Sequence, residues 1–152
     1  MTEPKSAREK TTDGPVPRPR RRTKAAAADG GTRSGTALPP ELTLAARAAH
    51  DKKATGVVVM DLQKAQAFTD YFFICTGQNA RQVKAIADAI EMALENEGHK
   101  PAHVEGYDRA NWVLLDYFTF IVHVFAPDAR TFYDIERLWG SAERVEVPDP
   151  GV

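Results

Sequence analysis

The sequence predicts an α/β domain, a mixed sheet of about five strands flanked by helices, and three observations predict it. Two continuous runs of β-branched and aromatic residues, "VVVMDL" at 57–62 and "DYFFICTG" at 70–77, suit strands covered on both faces. Between 79 and 98 the apolar residues Val83, Ile86, Ala87, Ile90 and Leu94 switch to helical spacing. The stretch "NWVLLDYFTFIVHVF" at 111–125 then reads as two strands joined by a turn short enough to make them antiparallel neighbours.

Taken in order, the domain is expected to begin at Pro39-Pro40, because proline is tolerated in the first turn of a helix. "ELTLAARAAHDKKA" follows with good helix formers and a weak apolar face of Leu42, Leu44, Ala45, Ala48 and Ala49, and Gly56 is the expected stop. The two long apolar strands come next. Asn79 is placed to cap the second helix, with Gln82 as its capping-box partner and Gly98 closing it. Its outer face, with Arg81, Lys84, Asp88, Glu91 and Glu95, reads as solvated. "AHVEGY" suggests a short strand before the hairpin, whose partners span 111–116 and 120–125. "DARTFYDIERLW" returns to helical period with Phe132, Ile135 and Trp139 on one face, Asp128 as cap and Gly140 as stop. A last short strand at 145–147 is left open.

The 152 residues allow about one domain, and their charge is divided unevenly. Residues 1–40 carry nine Lys or Arg against four Asp or Glu, whereas 41–152 carry eleven against seventeen. "PVPRPRRRTKAAAADGGTRSGTALPP" has almost no large apolar side chain to offset the entropy of ordering, so residues 1–38 are expected to form a disordered basic tail. The folded domain is expected over 39–147, with 148–152 as a C-terminal tail. "RPRRRTK" suits a nucleic-acid-binding arm, since clustered cations displace counterions from phosphates; a solubilising extension is the plainer reading. Glu3, Glu9, Asp13 and the prolines argue against a transit peptide. No apolar run approaches the roughly 20 residues that span a bilayer, so the chain reads as soluble, without a membrane partner. A lone cysteine, Cys75, rules out an internal disulfide framework and reads as core.

Chemistry is sparse. Asp61, Asp70 and Asp116 fall at strand edges, where carboxylates can hold Mg²⁺ for nucleotidyl transfer. They lack the paired spacing on one strand, and "TGQN" offers Gly77 without a following serine. His50 and His99 read as solvent-facing and His123 as a hydrogen-bonded core histidine; none of the four histidines has metal-ligand spacing. No catalytic residue, metal site or cofactor is therefore expected, and a metal-dependent nucleotidyltransferase remains the alternative.

Three blocks, "TDYFFICTGQNARQVKAIADAIE", "EGYDRANWVLLDYFTFIVHVF" and "FYDIERLWG", resemble the ribosomal silencing factor family, also called RsfS or Iojap, over roughly residues 42–140. The resemblance implies a nucleotidyltransferase-like fold without the catalytic pattern. It also implies a non-enzymatic factor of the bacterial cytoplasm. Such a factor binds the large ribosomal subunit through ribosomal protein number fourteen and blocks joining of the small subunit when nutrients are limiting; some members are homodimers when free. Trp112 is the counterpart of the family tryptophan associated with that contact, and Asp116 and Tyr117 match its "LLDY". Phe118 departs from the family, which commonly has Gly-Asp after that tyrosine, so a different turn type is expected. Trp112, Asp116, Tyr117 and Phe118, with Glu105 nearby for charge, are the expected partner-binding residues.

Overall fold

The computed structural model describes residues 38–148; the expectations for the basic tail and for the last four residues lie outside the described residues. Helix α1, Pro40–Asp51, starts with Pro39 at the N-cap and Pro40 in the first turn. It ends before Gly56, because Lys53 takes the left-handed region (φ 67°). The Lys53 and Ala54 N–H groups return to the carbonyls of His50 and Ala49 in the double hydrogen bond of a Schellman motif. Gly56 instead lies inside strand β1, Thr55–Asp61, at φ 57°, where the pairing register shifts.

A single 3-10 turn, Gln63–Ala65, leads to β2, Tyr71–Thr76, and then to α2, Ala80–Asn96. Asn79 caps α2 by accepting the Gln82 N–H at 2.9 Å. The return bond is displaced by one residue: Gln82 Oε1 accepts from the Gln78 N–H, while its amide nitrogen donates to the Lys52 and Lys53 carbonyls. One side chain thus ties the start of α2 to the end of α1. Gly98, at φ 89°, closes α2 in a second Schellman turn.

Strands β3, His103–Glu105, β4, Trp112–Asp116, and β5, Phe120–Phe125, follow. The expected third helix is broken into α3, Pro127–Tyr133, and α4, Ile135–Leu138, by Asp134 at φ 45°. Ala126, with Pro127 behind it, holds the N-cap position in place of Asp128. The last segment forms β6, Glu143–Glu146, two residues earlier than the sequence suggested.

Six strands make one sheet in the order β3-β4-β5-β2-β1-β6, with β2 and β5 parallel and every other pair antiparallel. The two long apolar strands, β1 and β2, are interior, as continuous apolar runs require. Helices α1 and α2 cover one face, burying Leu42, Val59, Phe73, Cys75, Ile86, Leu94, Val122 and Val124 in a single core. Burial pushes the Cys75 thiol up to about 12, as suits a core residue. His50 belongs with this core rather than with solvent, on the buried side of α1. The opposite face buries Met60, Phe72, Ile74, Ile121 and Phe125 under α3, α4 and Trp139. No described helix is long and apolar enough to cross a membrane.

Candidate functional site: the Trp112 face

Alternation along β4 decides what this strand offers. Val113 and Leu115 point into the helix-covered core, so Trp112, Leu114 and Asp116 share the opposite face. Glu105 of β3 registers with Leu114 and His103 with Asp116, which places the exposed Glu105 on that same face. The Trp112 backbone is held closely from the preceding loop. Gly106 has φ 79°, and a Cβ built there would run into the Trp112 carbonyl, so only glycine fits.

The Trp112 indole is fixed on three sides. Its Nε1–H donates to His123 Nδ1 at 3.0 Å, and its ring lies 5.0 Å from Phe125 and 4.6 Å from Tyr133. His123 is 3 % exposed, and burial pushes its pKa down to about 3, so the imidazole is neutral at physiological pH. Because Nδ1 accepts, the proton resides on Nε2, which has no hydrogen-bond partner among the described residues. The expected hydrogen-bonded core histidine is present, and its partner is the tryptophan itself. From Tyr133 the aromatic series continues to Phe132, edge to face at 5.0 Å and 79 % exposed; Leu138 on α4 is 76 % exposed.

Tyr117 does not join this surface. It is 8 % exposed in the helix-side core, stacked on Phe120 at 4.8 Å, on the face of the sheet away from Trp112. Burial, and behind it the carboxylates Glu91 and Glu95, raises its hydroxyl pKa.

Phe118 is 65 % exposed at the hairpin tip, and its backbone takes φ 70° even though it is neither Gly nor Asn. The Thr119 N–H bonds the Tyr117 carbonyl at 2.8 Å, closing a strained three-residue γ-turn around it. Two side chains hold the conformation: Asp116 Oδ1 accepts the Phe118 N–H at 2.8 Å, and the buried Thr69 hydroxyl donates to the Phe118 carbonyl at 2.7 Å. Asp116 therefore fixes the turn. Trp112 opens β4 and Phe118 lies two residues past its end, with about 13 Å of strand between Trp112 and Asp116 at the usual rise per residue.

Of the carboxylates suggested for a metal, Asp61 and Asp116 stand well apart. They end β1 and β4, three strand spacings apart or about 14 Å, and Asp61 bonds the Gln63 N–H. Among the described residues no cluster of three His, Cys, Asp or Glu is arranged to hold a metal. The other end of the parallel pair has a shallow depression lined by Thr76, Gln78, Arg130 and Glu136. Its guanidinium is already committed: Arg130 pairs bidentately with Glu136 at 2.9 and 3.0 Å and donates to Gly56 O and Thr76 Oγ1. That hydrogen bond holds the Glu136 carboxyl below its usual range.

Sequence reasoning missed the exposure of Phe132 and Leu138 because it treated 128–139 as one continuous helix. A single aspartate in the left-handed region redirects the second turn, and periodicity carries no mark of that break. The Trp112–His123 pair did have a signal. Once β4 and β5 are neighbours, Trp112 registers with Phe125, and His123, two residues back on the same face, is its diagonal neighbour.

Comparison with known proteins is consistent with this geometry. The family described as "Ribosomal silencing factor during starvation" matches residues 36–151. A ribosomal silencing factor RsfS of Halalkalibacterium halodurans is 41 % identical over 106 residues, which cover 70 % of this chain and 91 % of that protein. The chloroplastic protein Iojap of Zea mays is 34 % identical over 104 residues, covering 68 % of this chain and 45 % of its own. A crystal structure of a Chromobacterium violaceum protein superposes with a TM-score of 0.64 at 35 % identity, covering 66 % of this chain and 83 % of that one. The chain therefore belongs to the ribosomal silencing factor (RsfS) family.

Proposed function

We propose that this protein represses translation by occlusion: it docks on the large ribosomal subunit through ribosomal protein number fourteen and prevents the small subunit from joining when nutrients are limiting. The observation that carries this reading is the Trp112 face, where a fixed aromatic surface is partly open to solvent on a domain with excess carboxylates. Steric exclusion needs affinity and position but no turnover, which accords with a site built of rings rather than of reactive groups. Trp112 is the anchor in this reading, Glu105 supplies charge at the rim, and Phe118 is a second contact at the far end of β4, held out by Asp116. The basic N-terminal segment reaches ribosomal RNA, and the site of action is the bacterial cytoplasm. Self-association when free belongs to the same reading. The alternative nucleotidyltransferase reading would need the three aspartates to meet.

The test is cosedimentation of the full chain with isolated large subunits, followed by addition of small subunits. Saturable binding, fewer joined ribosomes, and at least a roughly tenfold loss in Trp112→Ala, about 1.4 kcal/mol, are expected. A folded wild type that does not bind large subunits sinks the reading.

A further inference from the structure

We propose that Phe132 and Tyr133 form the outer half of the docking surface that begins at Trp112, and that this surface receives an apolar projection on a Lys/Arg-rich protein. The inference rests on the ribosome-binding reading and specifies where on this chain, and to what chemistry, that binding occurs.

Four rings run in contact from the core to solvent. Phe125 is fully buried, Trp112 lies 5.0 Å from it, Tyr133 4.6 Å from Trp112, and Phe132 5.0 Å from Tyr133. The inner members are fixed by packing, whereas Phe132 covers almost nothing of its own domain. The break at Asp134 sustains this arrangement, because it turns Ile135 into the core and leaves Phe132 and Leu138 outside on either side of it. A monomer gains nothing from exposing large rings in series, and aromatic side chains of this kind are what protein interfaces use as anchors.

Two further facts define the occupant. The indole N–H is already given to His123, so Trp112 offers ring surface and no hydrogen bond; the complementary group is apolar. Residues 103–146, which contain β3 through β6, carry eight Asp or Glu against four Arg and no Lys. Of those arginines, Arg130 and Arg144 are bound to Glu136. A stacking platform for RNA bases needs cations to track the phosphates, and this one is short of them. A basic protein meets the carboxylate excess with charge complementarity.

The experiment is cosedimentation of the full chain with isolated large subunits, comparing wild type, Trp112→Ala, Phe132→Ser and Met92→Ser. Met92 is the control, an exposed side chain on α2 across the sheet from Trp112. Phe132→Ser is expected to weaken binding by about fivefold or more, with an unchanged melting temperature because the ring is already in solvent, and Met92→Ser to stay within about twofold of wild type. If Trp112→Ala weakens binding and Phe132→Ser stays within about twofold, the extended surface is overturned while the ribosome-binding reading stands. If wild type fails to bind, that reading fails and takes the inference with it. An equal loss in Met92→Ser means non-specific adhesion and overturns the proposal. In a parallel assay on deproteinised large-subunit RNA, Phe132→Ser is expected to match wild type; a loss there as large as on whole subunits makes the occupant RNA and overturns the protein partner.

Discussion

His123 shows how one residue links the core to the candidate site. It is a buried base that stays neutral, and its Nδ1 orients the indole of Trp112. Its folded pKa lies near 3, below its ordinary value of 6.5, so between those values the unfolded chain binds a proton that the folded chain refuses. Stability is therefore lost as pH falls from 6.5 toward 3, at up to about 1.4 kcal/mol per pH unit from this group. Urea titrations at pH 7 and pH 5 are expected to show a steeper loss in wild type than in His123→Leu, whose stability at pH 7 is itself lower. Equal slopes would mean that His123 is protonated in the fold. That His123 is core was legible from its alternation with Ile121 and Phe125. Its bond to Trp112 becomes legible only once the hairpin is paired in register, which makes the two diagonal neighbours on one face.

At the level of elements, the β4–β5 hairpin shows where local sequence rules give way. The loss of the family's Gly-Asp suggested a different turn, yet the backbone takes positive φ with Phe118 in it, because Asp116 and Thr69 clamp the peptide groups on both sides. Strain of this kind costs on the order of 1–3 kcal/mol in a bulky residue, and the exposed ring returns little by burial. Phe118→Gly is expected to raise unfolding stability by about 1 kcal/mol in urea titrations, since glycine's gain from relieved strain exceeds its larger entropy loss. A destabilised variant would show that the ring packs on its own hairpin. The hairpin, α2 and the two interior strands were readable because each carries an unbroken period. The third helix was misjudged because Phe132 keeps the period while Asp134 breaks the axis, and a left-handed residue is invisible to periodicity.

For the whole molecule, charge is the clearest organising feature. The sequence separates a basic segment from an acidic domain, and residues 103–146, which include the aromatic face, carry eight Asp or Glu against four Arg. Association of the full chain with isolated ribosomal protein number fourteen is expected to weaken several-fold as salt rises from about 0.1 M to about 1 M, which shortens the screening length from about 10 Å to about 3 Å. An affinity indifferent to salt would remove electrostatic steering from the account. The α/β class and a sheet of about five strands were visible in the sequence; the sixth strand was uncertain because "ERVE" has one apolar residue in four and forms by pairing with β1.

That sixth strand and its counterpart β3 close the two ends of the sheet, and both are short and carry charged side chains. Unpaired strand edges invite further strands, and brevity with charge is a common way for a protein to refuse them. Copies of this chain at high concentration are thus directed away from edge-to-edge ribbons and from the aggregation that follows.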